Sequence, residues 1–198
     1  MVELVNSDQK QVKWRSLARK SEFQKVYEQG AKRVGRLVVV YLFAPDSEYF
    51  AQWVNRPGVN QPGAPSGTDL AWAVVASKKV GNAVARNRAK RLLREARRLG
   101  PLGDLTDKHS PSSADDIRCV YERFLREPGD EMVRDEPVPD HISVLDRVAK
   151  ETAEEAKESN TFAGLWVVLV ARRRILGASS RQVREELDKL LGMEPQLQ

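Results

Sequence analysis

Between Ser77 and Leu99 the chain reads Ser-Lys-Lys-Val-Gly-Asn-Ala-Val-Ala-Arg-Asn-Arg-Ala-Lys-Arg-Leu-Leu-Arg-Glu-Ala-Arg-Arg-Leu. Nine cations (Lys78, Lys79, Arg86, Arg88, Lys90, Arg91, Arg94, Arg97 and Arg98) stand against one acid, Glu95. Asn82 is a good N-cap and Gly100-Pro101 a good stop, so the spacing predicts a helix from about 82 to 99. On a helical wheel with Arg86 at zero, Arg97, Lys90, Arg94, Asn87, Arg98 and Arg91 fall between about 20° and 140°. Leu99, Leu92, Ala85, Ala96, Ala89 and Leu93 fall between about 220° and 340°, with Arg88 near the border. Such a helix needs an apolar layer beneath one side. An ordinary solvated face mixes signs at four-residue spacing; this one does not, so its other side suits a polyanion. Arginine outnumbers lysine, which fits forked contacts to phosphate. The free N–H groups at about Asn82 to Ala85, with Lys78 and Lys79 beside them, form a phosphate-ready turn. The Gly-Lys-Ser/Thr order of a Walker loop is absent.

The apolar layer is visible in the rest of the chain. Leu37–Phe43, Leu70–Ala76 and Leu165–Ala171 read as buried strands, and Ala31–Val34 as a short one. Ser21 with Gln24 three residues on predicts a capped first helix, with Phe23, Val26 and Tyr27 on one face and Gly30 as its stop. Ser179 or Ser180 opens a last helix carrying Val183, Leu187, Leu190 and Leu191 at helical spacing. Residues 1–16 read as a tail, anchored by Trp14 or Leu17. Residues 55–68 hold three Pro and three Gly and read as a flexible loop. The expected fold is α+β: a two-layer sandwich of about four strands and three helices, in the order helix, strands, basic helix, strand, helix.

One segment breaks this order. Residues 101–160 hold sixteen Asp or Glu against eight Lys or Arg, a net of −8 within a chain of net +5, so the remainder carries +13. We read 1–198 as a single domain with 101–160 as an acidic, flexible insertion, in which Val144–Ser159 could form an exposed helix. Its composition suggests a solubilising linker; competition with a polyanion for the basic helix is the alternative. The only cysteine is Cys119 and the only histidines are His109 and His141, so neither a disulfide framework nor a Cys/His zinc pattern is available. Met1–Arg15 mixes charges without an apolar core, and no run suits a membrane span, so a soluble cytoplasmic protein is expected.

The run Lys78-Lys79-Val80-Gly81-Asn82-Ala83-Val84-Ala85-Arg86-Asn87-Arg88-Ala89-Lys90-Arg91-Leu92-Leu93-Arg94-Glu95 closely resembles the protein subunit of bacterial ribonuclease P, with Arg86-Asn87-Arg88 matching that family's Arg-Asn-Arg motif. Phe23-Gln24-Lys25-Val26-Tyr27, followed by Gly30, resembles its first helix. The resemblance spans about 17–46, 69–99 and 163–191. It implies a ribonucleoprotein endonuclease that removes the 5′ leader from precursor tRNA. In that family the RNA performs the hydrolysis with Mg2+, and the protein contributes no catalytic residue and no metal ligand. Its implied partners are the catalytic RNA and precursor tRNA; the absence of a long apolar run argues against a membrane, and no protein partner is inferred. The resemblance implies that Lys78, Lys79, Arg86, Asn87, Arg88, Lys90, Arg91 and Arg94 face the RNA. It also implies that Phe23, Tyr27, Val39 and Tyr41 line a cleft for the single-stranded leader, and that the crossover through the basic helix is left-handed. Two features depart from the family pattern: Ala89, where a larger aliphatic is usual, and the acidic insertion. Other readings are a ribosome-associated or other structured-RNA binder without a role in cleavage, and a protein-only nuclease. The nuclease would need carboxylates or a histidine near the basic helix.

Overall fold

The computed structural model describes residues 14–46, 69–105, 114–126 and 162–193. Its element order is β1 (Trp14–Ser16), α1 (Lys20–Gln29), β2 (Ala31–Val34), β3 (Val38–Phe43), β4 (Asp69–Val75), a 3-10 turn (Lys78–Val80), α2 (Ala83–Leu99), α3 (Pro101–Asp104), α4 (Ala114–Arg126), β5 (Gly164–Ala171), a second 3-10 turn (Arg173–Gly177) and α5 (Ser180–Leu190). One sheet in the order β1-β4-β5-β3-β2 holds the described strands. β4 and β5 are parallel neighbours joined through the basic helix α2, whereas β3 lies antiparallel to both β5 and β2. Among the described residues no helix is long and apolar enough to cross a membrane.

Strand alternation sends Val38, Val40 and Leu42 to one face and Val39, Tyr41 and Phe43 to the other. The first face, joined by Leu70 and by Leu165, Val167 and Leu169, packs under α2, α4 and α5 through Ala89, Leu93, Ile117, Phe124, Val183 and Leu187. The second face carries Ala71, Trp166 and Val168 and is covered by α1 through Val26, with Leu17 beside it. Glu186 of α5 ties the β2–β3 hairpin down, its carboxylate accepting from the backbone N–H groups of Leu37 at 2.6 Å and Val38 at 3.1 Å.

Three expectations change. The sheet has five strands and not about four: Trp14–Ser16, read as tail, pairs in parallel with Leu70–Trp72 at the edge. Three residues are too short for alternation to show, and only the neighbouring strand defines them. The first helix begins at Lys20, so Ser21 lies inside its first turn. Its start is held instead by Glu22, whose Oε2 accepts from the backbone N–H groups of Ala18 and Arg19, both at 3.0 Å. The third change lies in 101–160. α3 and α4 stand within this segment, and Leu102, Ile117, Val120 and Phe124 are buried in the main core. These apolar residues recur at helical spacing, but the acidic composition around them obscured the pattern. The helix expected over Val144–Ser159 and the loop 55–68 lie outside the described residues, as does the tail before Trp14.

Candidate nucleic-acid interface

α2 is seated by Ala89, Leu93 and Ala96, all fully buried, and capped by Asn82, whose Oδ1 accepts from Ala85 N–H at 2.9 Å. Ala89, where the family usually carries a larger aliphatic, is part of this buried seat. Of the residues expected to face an RNA, Lys78, Lys79, Asn87, Arg88, Arg91 and Arg94 are exposed; Arg86 and Lys90 are half-buried. Lys78 and Lys79 form the 3-10 turn that leads into α2, anchored by buried Val80. Gly81 follows with φ of 147°, where any side chain would be strained and its Cβ would stand 3.0 Å from that of Ala85. Arg86 Nη1 donates to the Gly81 carbonyl at 2.8 Å.

The wheel placed Arg97 on the cationic stripe, whereas the structure turns it inward. Its guanidinium carbon lies 4.0 Å from the Trp72 ring centroid and 5.6 Å from that of Trp14, and burial lowers its pKa. Leu99, expected on the packing side, is 48% exposed at the helix end. Arg98 is exposed on the stripe where the wheel placed it, and the stripe gains Arg173, exposed on the second 3-10 turn, which packs against the Lys78–Val80 turn. The sequence signal for Arg173 was present: three consecutive arginines directly after a buried strand.

On the opposite face the four residues expected to line a cleft come together. Tyr27 and Tyr41 meet edge-on with ring centroids 4.9 Å apart, and Phe23 stacks on Tyr27 at 6.4 Å. Val39 lies in a cross-strand row with Val170 and Val75; Tyr41 lies in the next row with Val168 and Ala73. Val39, Tyr41, Ala73, Val75 and Val170 are only half-buried, so α1 leaves part of this apolar floor open. Burial raises the pKa of both tyrosines, with the neighbouring Tyr27 adding to the effect on Tyr41, so both hydroxyls are neutral at ordinary pH. The N-terminus of α1 is tied down beside this floor. Glu22, 1% exposed, also accepts from Arg15 Nη1 at 2.7 Å, and the Arg15 guanidinium lies 5.1 Å from the Trp166 ring centroid. The top row of the floor leads directly into the two basic turns.

The described residues thus carry a cationic helix on one face of the sheet and an aromatic cluster over a half-open apolar floor on the other. Residues 12–101 match the ribonuclease P family model, a little under half of the chain. The chain is 33% identical over 85 residues to the ribonuclease P protein component of Clostridioides difficile (strain 630), covering 43% of this chain and 57% of that protein. It is 37% identical over 83 residues to that of an Exiguobacterium species, covering 42% of this chain and 55% of that protein. The chain thus spans a little over half the length of these relatives. Among solved structures, the Staphylococcus aureus RNase P protein aligns over 89% of this chain and 91% of its own, at 17% identity and a TM-score of 0.40. The Thermotoga maritima RNase P protein aligns over 91% and 98%, at 15% identity and a TM-score of 0.42. The resemblance carried by residues 78–95 therefore extends through the whole stretch from residue 12 to residue 101.

Proposed function

We propose that this protein is the RNA-binding subunit of a ribonuclease P ribonucleoprotein, acting in the cytoplasm on precursor tRNA. The supporting observation is Arg86-Asn87-Arg88, which sits on a seated, outward-facing cationic helix inside the segment matched by the ribonuclease P family model. In this reading the exposed cations of α2 and of the Lys78–Val80 turn neutralise phosphates of the catalytic RNA. The groove between α1 and the sheet takes the single-stranded 5′ leader, whose bases stack on Phe23, Tyr27 and Tyr41 over the floor at Val39. The RNA supplies the hydrolytic chemistry with its own Mg2+. The protein's residues bind, orient and neutralise, and none of them transfers a proton at the scissile phosphate.

The reading is tested by titrating the protein against bacterial ribonuclease P RNA over a range of salt. Affinity should fall steeply as salt rises, and Arg88→Gln or Arg91→Gln should each lower the slope of log K against log salt by about one unit. Equal slopes for the wild type and both variants would remove α2 from the interface.

A further inference from the structure

We infer that Arg86 is a positioning residue: its guanidinium clips the Lys78–Val80 turn to α2 and so fixes where Lys78 and Lys79 stand. The inference rests on the proposed RNA-binding reading and deepens it, because it divides the labour within Arg86-Asn87-Arg88.

The two arginines of this motif differ in surroundings. Arg88 is exposed, whereas Arg86 is half-buried and donates through Nη1 to the Gly81 carbonyl at 2.8 Å. That carbonyl belongs to the hinge between the turn and the helix. Around it, Val80 N–H donates to Ser77 O at 3.1 Å, Gly81 N–H to Lys78 O at 3.2 Å, and Arg86 N–H to Asn82 O at 3.0 Å. Val80, 3% exposed, roots the turn in the core. Gly81, at a φ of 147°, has no Cβ to restrict its backbone, so this hinge gains from another restraint. The Arg86 clip provides it.

Two consequences bear on anion binding. A carbonyl oxygen beside a phosphate site repels the ligand, and a charge-assisted donor placed on that oxygen offsets its partial negative charge. Lys78 and Lys79 are exposed side chains whose reach is decided by a three-residue turn. Fixing the turn before binding lowers the ordering cost when both ammonium groups meet phosphates.

The test uses the full chain and bacterial ribonuclease P RNA in a double-mutant cycle, with amide exchange measured on the RNA-free protein. Arg86→Gln should speed exchange at Val80 and Gly81 by tenfold or more while β5 stays protected. In that background the loss caused by Lys79→Gln, several-fold in the wild type, should shrink below twofold. Arg88→Gln should leave both the exchange and the Lys79 effect unchanged. Additive losses from Arg86→Gln and Lys79→Gln, with exchange at the turn unaltered, would overturn the inference and make Arg86 a direct phosphate contact. If Arg86→Gln unfolds, Arg86→Met keeps the aliphatic stem, removes the donors and gives the same readouts. Failure of the wild-type protein to bind this RNA would count against the proposed function, and the exchange measurement would then decide the clip alone.

Discussion

The guanidinium of Arg97 lies over the ring of Trp72, 4.0 Å from its centroid, with the Trp14 ring centroid 5.6 Å away. One arginine of the basic helix thus joins β1, β4 and α2, and Trp14 extends the join by donating its indole N–H to the Leu102 carbonyl at 2.9 Å. Stacked, partly desolvated cation–aromatic contacts of this kind contribute about 1–2 kcal/mol. Arg97→Ala should therefore lower the unfolding free energy by that order. Because Arg97 faces inward, the same variant should leave the salt slope of RNA binding at the wild-type value. A slope reduced as much as by Arg91→Gln would return Arg97 to the RNA surface.

Asp188 is expected to make the protein less stable as pH rises. It is 7% exposed, and its pKa is raised to about 6 by burial and by Asp104 and Glu185, against the opposing pull of Arg184. A carboxyl whose folded-state pKa lies above its unfolded value favours folding while protonated. That contribution is present below about pH 4 and is lost as pH climbs through about 6. Asp188→Asn should remove this dependence and raise stability at pH 7 by roughly 3 kcal/mol, the worth of a shift from 3.8 to about 6. Urea titrations of both proteins at pH 5 and pH 7.5 check this: the gap between them should open at the higher pH.

α4 lies within the acidic segment yet belongs to the core. Phe124 is 2% exposed, and the buried Arg33 guanidinium stacks on its ring at 4.5 Å while Nη1 donates to the Leu190 carbonyl at 2.8 Å. Phe124→Ala should destabilise the protein by about 3–5 kcal/mol, the usual cost of emptying a buried aromatic site. Differential scanning calorimetry would show this as a large drop in Tm. A change of only a degree or two would mean that α4 is dispensable.

The aromatic groove gives a separable functional expectation. Tyr41→Ala or Tyr27→Ala removes a stacking surface worth about 1–3 kcal/mol per base. Within the reconstituted ribonucleoprotein, affinity for leader-bearing precursor tRNA should fall about tenfold or more, by the same principle, while affinity for mature tRNA stays unchanged. Equal losses for both ligands would place the leader elsewhere.

Much of this architecture was legible wherever local pattern and tertiary structure agree. The valine-rich runs at 38–43 and 164–171, the Asn82 and Ser179 caps and the seat of α2 follow from periodicity and capping chemistry. That Phe23, Tyr27 and Tyr41 would share one neighbourhood was expected from family resemblance, but strand parity needed the β3–β5 register to bring Tyr41 under Tyr27. What stayed hidden depends on distant partners. Trp14–Ser16 is a strand only because β4 lies beside it. Arg97 sits at the wheel's border, where the two tryptophans decide its direction. Glu22 caps α1 from a buried position that its charge argues against, stabilised by Arg15. α4 carries the right spacing, yet a net of −8 over 101–160 outweighed it in a reading by composition.

Reconstitution tests the central claim most directly. Bacterial ribonuclease P RNA is assayed for cleavage of precursor tRNA at near-physiological salt over a range of Mg2+, with and without this protein. The protein should shift cleavage to lower Mg2+ and should cleave nothing alone. Identical Mg2+ dependence with and without the protein would contradict the assignment.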